Sequence, residues 1–302
     1  MKFWLADSNK AAFEHARLLT AYYSKSFYIS ARMLPQKRRW ATYAVYSFCR
    51  YADNLVDNPR HRTPEEIVAE LDFLAKELQI TYRTGESEHP IIRPFIIVAK
   101  EYDIPLEYAL ELLDGVKMDV QYTRYPNFAA LYRFCYRVAA VVGLMMTCVL
   151  GYKDKRAFEY AEKLGIAMQL TNILRNVKED KEMGRIYLPM NELERFDVLE
   201  RDIIAEKMTP ALRELMKFQV ERAHSYYIQG EQGIQILAPE SQFAIYSASK
   251  IYRGILRQIE ARDYNPFLGR VFVSPVKKIS IMLGEILRTK VLLAHKRLFP
   301  AS

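Results

Sequence analysis

Hydrophobic residues recur three and four positions apart along most of the chain, and prolines interrupt this pattern. Strict alternation of apolar and polar residues is rare, so the pattern predicts an all-α protein. Thr63 precedes Pro64, and Glu66 follows three positions after Thr63, which is typical of a capped helix start. We predict helices beginning at Pro64 and near 9–32, 36–58, 127–151, 155–182, 190–198, 209–232, 239–262 and 274–297.

The composition fits one helical domain. Half of the 302 residues are hydrophobic, so the chain can bury a sizeable core, and its length permits one large domain or two smaller ones. No linker, repeat or nucleotide-binding glycine loop stands between the predicted helices. We therefore predict a single all-α domain over residues 1–302.

The formal net charge of +8 favours anionic partners, which include nucleic acid, phosphate groups and anionic membranes. Basic residues are scattered and no nucleic-acid-binding motif is found, so we expect no nucleic acid partner. Cys49, Cys135 and Cys148 lie far apart in apolar segments, which predicts reduced thiols and a cytoplasmic protein. The N-terminus reaches Asp7 too soon for a signal peptide, and we find no apolar run of about 18 residues that would span a membrane.

The C-terminal segment 277–299 combines apolar residues at helical spacing with basic residues between them. Two interpretations fit this pattern. We favour a terminal helix that packs on the core. The alternative is a helix that lies on a membrane surface, which would make the protein peripheral on the inner membrane face.

A polar stripe lies on the predicted helix 155–182. Gln169, Asn172, Asn176 and Asp180 are spaced three, four and four residues apart, so they share one helical face. Such a stripe by itself fits either a solvated helix face or a site for an ion or polar ligand. The apolar residues just before it favour a face that looks into a cavity.

A second polar pair follows the aromatic-rich segment 40–52. Asp53 and Asp57 are four residues apart, so both carboxylates point the same way, and Arg50 lies three residues before Asp53. The two like charges would repel each other on an exposed helix. A bound hard cation such as Mg²⁺ would attract both carboxylates, so that their proximity would become favourable. Two polar stripes on mainly apolar helices indicate a cavity with facing polar walls. Such a cavity suits a diphosphate bridged by Mg²⁺, with an apolar tail in the remaining space.

Six segments resemble the squalene/phytoene synthase family, whose members join two prenyl diphosphates head to head, and they occur in the family's order. The most specific, QLTNILRNVKEDKEMGRIYLP, is similar to the family's second aspartate-rich motif and the turn beyond it. YAVYSFCRYADNLVDN resembles the first such motif, usually written DDxxD. The others are YYSKSFYISARMLP, DGVKMDVQYTRY, YRVAAVVGLMM and DYNPFLGRVFV, and the matches run from about residue 20 to 275.

The resemblance implies an all-α isoprenoid synthase fold around a central cavity, and a prenyltransferase that uses Mg²⁺, with Mn²⁺ as an alternative ion. NADPH would be needed only if the product is squalene. At the matched positions it assigns metal binding and catalysis to Asp53, Asp57, Asn172, Asn176 and Asp180. It assigns substrate binding to Ser24, Lys25, Ser26, Arg50, Asp119, Gln169 and Arg270. Because aromatic faces can stabilise cations, we add Tyr46 as a catalytic residue and Phe27 and Tyr252 as substrate-binding residues of the cavity wall, together with the small residue Ala31.

Two positions depart from the family pattern. Asn54 replaces the middle aspartate of the first motif, but it lies beside the face shared by Asp53 and Asp57, so we expect little effect. Asn176 replaces the aspartate that normally begins the second motif. Its carbonyl oxygen can coordinate a hard cation but supplies no charge, so we predict weaker Mg²⁺ binding at this motif.

The substrate of such an enzyme is a C20 or a C15 prenyl diphosphate. Ala31 lies one helical turn after Phe27, in the segment that resembles the wall of the substrate channel, and a small residue there would lengthen the cavity. We therefore favour two geranylgeranyl diphosphates as substrates and phytoene as product. The alternatives are a C15-using squalene, dehydrosqualene or presqualene diphosphate synthase, and a non-catalytic member that acts as a lipid-binding or assembly protein.

Overall fold

The computed structural model describes residues 2–298, without the side chains of Ser26, Lys290 and residues 292–298. This part of the chain contains no β-strand, which confirms the all-α prediction for it. Its helices are α1 Asp7–Tyr23, α2 Lys25–Arg32, α3 Gln36–Asp57, α4 Pro64–Thr84, α5 Ile92–Glu101, α6 Leu106–Gln121, α7 Phe128–Cys135, α8 Val141–Leu150, α9 Arg156–Glu182, α10 Met190–Arg195, α11 Glu200–Ile204, α12 Pro210–Glu231, α13 Pro239–Glu260 and α14 Pro275–Leu298. A π turn at Tyr136–Ala140 joins α7 to α8.

Local sequence signals explain two helix starts. At α4, the Thr63 N–H donates to the Glu66 carboxylate at 2.8 Å and the Glu66 N–H donates to the Thr63 hydroxyl at 3.2 Å, which confirms the predicted capping box. The prediction of one helix near 9–32 is wrong, because Ser24 leaves helical geometry with φ −145° and ψ 88°. Its hydroxyl accepts a hydrogen bond from the Phe27 N–H and caps a new helix, α2.

Helix α9 occupies a central position in the fold and packs against α8, α12 and α13. Gly165 permits the close approach of α9 to the α7–α8 segment, since an added Cβ would lie 2.5 Å from the Cα of Ala140. One large buried cluster lies mainly among α3, α4, α5, α6 and α8, and the other lies mainly among α7, α9, α12 and α13. These contacts hold α3 and α9 in place on opposite sides of the space described below.

The continuous segment Phe128–Leu150 is the one described helix that is long and apolar enough to cross a membrane, judged by length and composition. Half of its most apolar stretch is buried inside the fold, and the segment packs against α6 and α9. Burial in the core accounts for this composition. The sequence predicted this helix at 127–151 but not an apolar run of membrane length, since Arg133 and Arg137 interrupt its apolar residues.

The C-terminal helix α14 lies along α13. Its Met282 is buried, and Ile286 packs against the buried residues Leu34, Leu150 and Phe243. This face has the packing that we favoured for the C-terminal segment. The opposite face of α14 is exposed.

Candidate active site

A polar pocket of about 340 Å³ opens between α3, α6 and α9. Nine of the predicted site residues line it, although they come from distant parts of the sequence: Arg50, Asp53, Asp57, Asp119, Gln169, Asn172, Asn176, Asp180 and Arg270. The facing polar walls predicted from the two stripes are therefore present. The chemical roles of the individual residues stay predictions.

The α3 wall combines two carboxylates with a guanidinium. Burial raises the pKa of Asp53 to about 7, and the negative charge of Asp57 is the second cause. Arg50 Nη2 lies 3.1 Å from Asp57 Oδ2 and donates to Asn54 Oδ1 at 2.7 Å. The Asn54 side chain does not line the pocket. This departure from the family pattern therefore bears on the pocket only through the hydrogen bond that Asn54 accepts from Arg50.

The α9 wall holds a second guanidinium that sequence reasoning missed. Arg175 donates from Nη2 to Asn172 Oδ1 at 2.9 Å and from Nε to Asn176 Oδ1 at 3.0 Å. Burial lowers the pKa of Arg175, and the positive charge of Arg270 lowers it further. The two amide oxygens of the stripe therefore face a cation that belongs to the protein itself.

Asp119 forms a hydrogen-bonded group with two residues from the turn after α9. Arg185 Nη1 donates to Asp119 Oδ2 at 3.2 Å, and the Tyr187 hydroxyl donates to Asp119 Oδ1. Gly184, at φ +76°, makes the turn that brings both residues back to the pocket. Burial raises the pKa of Asp180 to about 7, and the negative charge of Asp119 is the second cause.

Arg175, Arg185 and Tyr187 line the pocket but were not predicted as site residues. The signals were present in the sequence. Arg175 lies three positions after Asn172, at a spacing that places both on one helix side. Arg185 and Tyr187 belong to the segment GRIYLP, which we matched to the turn beyond the family's second motif without assigning its residues to the site.

An apolar cavity of about 290 Å³ lies beside the N-terminal half of α9. Phe27, Tyr46 and Tyr252 line it, and the stacked rings of Phe27 and Tyr46 have centroids 4.7 Å apart. Helix α9 joins the two spaces, because residues within 157–168 line the cavity and residues within 169–180 line the polar pocket. A substrate with its diphosphate in the pocket can extend its tail along α9 into the cavity.

The prediction that Ala31 lines the channel is wrong. Ala31 is 3% exposed, and it packs with Ala16 of α1 and Tyr43 of α3 rather than along the cavity. Phe27 and Ala31 share a face of α2, but only the longer side chain of Phe27 reaches the cavity. The methyl group of Ala31 ends against the neighbouring helices.

At the start of α2, the structure places the described residues Ser24 and Lys25 outside the polar pocket. The Ser24 hydroxyl caps α2, and Lys25 is exposed; both are absent from the pocket lining. The predicted contact of Ser26 falls outside the described side chains.

The chemistry of the donor set fits Mg²⁺. Burial and mutual repulsion raise the pKa of Asp53, Asp119 and Asp180, so a nearby cation would stabilise their ionised forms. Within residues 2–298, as far as their side chains are described, no group of three or more His, Cys, Asp or Glu converges on one point. Mg²⁺ commonly combines one or two carboxylates with water and substrate phosphate oxygens, so these walls suit an ion that binds together with a diphosphate.

Comparison with known proteins gives consistent matches. A family model described as squalene/phytoene synthase matches residues 20–277. A 15-cis-phytoene synthase of Synechocystis is 36% identical over 94% of this chain and 87% of its own length, and a phytoene synthase of Arthrospira platensis is 35% identical over 93% and 94%. A dehydrosqualene synthase crystallised with a ligand has a TM-score of 0.84 at 29% identity, covering 93% of this chain and 98% of that one. For squalene synthase HpnC from Alicyclobacillus acidocaldarius the TM-score is 0.81 at 25% identity, covering 88% and 99%.

The helical fold, the paired acidic walls and these matches define a prenyltransferase with the isoprenoid synthase fold. The chain belongs to the squalene/phytoene synthase family, whose members condense two prenyl diphosphates. The family is dependent on a divalent metal ion, generally Mg²⁺.

Proposed function

We propose that the protein condenses two molecules of geranylgeranyl diphosphate head to head into phytoene. The observation that carries this proposal is the similarity to phytoene synthases at about 35% identity over more than nine-tenths of the chain. The arrangement of an apolar cavity and a polar pocket along successive parts of α9 supports it, since the substrate has a diphosphate head and a long hydrocarbon tail.

The polar pocket binds the diphosphate groups in this proposal. Asp53, Asp57, Asn172, Asn176 and Asp180 would hold Mg²⁺, which supplies the positive charge that makes a diphosphate a good leaving group. Arg50, Arg175 and Arg270 present guanidinium donors around the same space. One guanidinium group can donate two parallel hydrogen bonds to phosphate oxygens. These residues therefore orient the diphosphate and stabilise the negative charge that develops on it as it leaves.

Two ionisations follow one another in the reaction. The first substrate loses its diphosphate to give an allylic cation, the double bond of the second substrate attacks it, and loss of a proton closes a cyclopropyl diphosphate. That intermediate then loses its own diphosphate, rearranges, and loses a proton to give the linear product. The apolar cavity excludes water from the cations, and the rings of Phe27, Tyr46 and Tyr252 offer their faces to the positive charge.

We also propose that the protein works in the cytoplasm. Cys49, Cys135 and Cys148 are all free thiols, and two of them are buried, as in proteins of a reducing compartment. Fractionation of the native host, with the protein recovered outside any oxidising compartment, supports this location. Recovery from such a compartment contradicts it.

A product assay tests the proposed reaction. The purified protein is incubated with the C15 and C20 diphosphates, with and without Mg²⁺ and NADPH, and the lipids are identified by mass. We expect phytoene from the C20 substrate with Mg²⁺ alone. Asp53→Asn is the control for pocket-dependent turnover. Product from the C15 substrate only would contradict the substrate assignment, and no product from either would indicate a lipid-binding member without activity.

A further inference from the structure

One face of α14 exposes a continuous apolar stripe. Its members are between 57% and 79% exposed, and they are Val276, Ile279, Leu283, Leu287 and Val291. Their spacing of three or four residues places them on one side of the helix, opposite the side that packs on the core. Exposed apolar residues usually occur singly, so a row of five is typical of a docking surface.

Elements next to α14 carry further exposed apolar residues. Helix α2 contacts α14, because Ser30 Oγ lies 3.7 Å from Met282 Sδ, and Ile29 and Met33 of α2 are also exposed. Phe272, three residues before α14, is 64% exposed. We call the stripe of α14, together with Ile29, Met33 and Phe272, the α2–α14 face.

Positive charge accompanies the α2–α14 face. Helix α14 contains a single acid, Glu285, which is buried and paired with Lys250 and Arg288. It contains six lysines and arginines: Lys277, Lys278, Arg288, Lys290, Lys296 and Arg297. An exposed apolar stripe on a helix this rich in lysine and arginine complements an anionic bilayer, whereas a second copy of this chain would bring like charges together.

The α2–α14 face lies on the outer side of helices that form the apolar cavity. Helix α2 supplies Phe27 to the cavity wall, and α13 supplies Ile245 and Tyr252. Helix α14 packs on α13 and touches α2. A membrane on this face would therefore lie against the wall of the space that we assign to the prenyl chains.

We propose that the α2–α14 face docks the protein on an anionic lipid bilayer. Docking allows a prenyl chain to pass between the bilayer and the cavity without crossing water, in both directions. This exchange rests on the proposed function, whereas the docking itself rests only on the exposed stripe and its charge. The two proposals can therefore fail separately.

Vesicle flotation without substrate tests the docking. The purified protein is mixed with vesicles of phosphatidylcholine alone or of equal parts phosphatidylcholine and phosphatidylglycerol. We expect binding to the anionic vesicles, weakened by salt, and a loss of at least about tenfold in Leu283→Asp/Leu287→Asp. Phe73→Asp/Ile80→Asp on α4 is the matched control, since these residues are similarly exposed at 68% and 53% and we expect their replacement to have no effect.

A second measurement covers the case in which the aspartate pair fails to fold. Leu283→Trp keeps an apolar side chain at the stripe, and its fluorescence should shift to the blue on anionic vesicles, while Phe73→Trp should not shift. Turnover in detergent micelles should be unchanged in the Leu283 variants. Equal vesicle binding by the α14 and α4 pairs overturns the proposal. Light scattering gives the mass of the protein in solution. If the parent protein has the mass of two chains, the α14 aspartate pair has the mass of one, and neither binds vesicles, the proposal is overturned in favour of a dimer.

Discussion

At the scale of single residues, the balance of charge at the α9 wall depends on Asn176. Arg175 donates to the amide oxygens of Asn172 and Asn176, so the guanidinium is held by neutral acceptors. An aspartate at position 176 would form an ion pair with Arg175 and add negative charge to the wall. The neutral amide therefore leaves Arg175 with more of its charge for a diphosphate and leaves the wall with less attraction for a metal ion.

We predict that Asn176→Asp lowers the Mg²⁺ concentration needed for half-maximal turnover. A hydrogen bond to a charged group contributes about 1 kcal/mol more than one to a neutral group, which corresponds to a change of about fivefold in that Mg²⁺ concentration. The measurement is turnover against Mg²⁺ concentration. Asn54→Asp is the matched control, because Asn54 contacts Arg50 but does not line the pocket, and its curve should move less. An unchanged curve for Asn176→Asp would contradict the prediction.

The raised pKa of Asp53 makes the stability of the metal-free protein depend on pH. The folded state binds this proton more tightly than the unfolded chain, since the pKa rises from 3.8 to about 7. Its stabilising contribution is complete below the unfolded-state pKa and is lost as the pH rises through about 7. Asp180 behaves in the same way.

We therefore predict that the melting temperature of the metal-free protein falls between about pH 4 and pH 7, and falls less in Asp53→Asn. Mg²⁺ with inorganic diphosphate should restore the melting temperature at the higher pH, because ligands that bind the ionised pocket stabilise the fold. Asp202→Asn on α11, away from the pocket, serves as control. The same slope in Asp53→Asn and the parent protein would refute the assignment.

At the scale of elements, α9 sets the positions of both the polar pocket and the apolar cavity. Its C-terminal half supplies the polar stripe, and its N-terminal half supplies part of the cavity wall. The contact at Gly165 fixes how closely α9 approaches the α7–α8 segment. The separation of these helices therefore decides the width of the cavity between them.

We predict that Gly165→Ala destabilises the protein by about 1–3 kcal/mol, because the added methyl group overlaps the backbone of Ala140. Urea denaturation measures the change. Gly284→Ala on the exposed face of α14 is the control, since its added Cβ has nothing within 4 Å, and it should stabilise by up to about 1 kcal/mol. Equal stabilities of the two variants would show that the close approach is not needed.

At the scale of the whole molecule, the length of the cavity sets the length of the substrate. Ala157 is buried with Ile234 and Leu237, and it lines the cavity at the N-terminal end of α9. Asn172 in the polar pocket lies 15 residues further along the same helix, a distance of about 22 Å. Ala157 therefore marks the far end of the space available to a prenyl tail.

We predict that Ala157→Phe shifts the preference between C20 and C15 substrates toward C15 by about tenfold or more. An apolar pocket discriminates by at least that factor in kcat/KM against a substrate whose chain it cannot accommodate. The measurement is kcat/KM for both diphosphates. Ala31→Phe is the matched control, because Ala31 packs outside the cavity. It should lower stability without changing the preference. A shift in the Ala31 variant alone would restore the channel position that we first predicted for it.

The distribution of charge is also a property of the whole molecule. The pocket gathers buried carboxylates, while the net charge of the chain is +8 and basic residues accompany the exposed stripe of α14. A diphosphate with its metal ion fits the first region, and an anionic lipid surface fits the second. The two regions are formed by different residues of the same bundle of helices, so a molecule that docks on a membrane as proposed can also hold the head group of an amphiphilic substrate in an acidic pocket.

The sequence by itself determined the helices, the two polar stripes and the membership of the family. Helical periodicity and capping depend on neighbours within a few residues, so the start of α4 and the shared face of Asn172, Asn176 and Asp180 follow from local spacing. Only the tertiary structure decided which distant side chains meet. The contact of Asp119 with Arg185 and Tyr187, the displacement of Ala31 from the cavity and the exposed face of α14 depend on how helices pack, and periodicity does not encode which neighbour covers a given face.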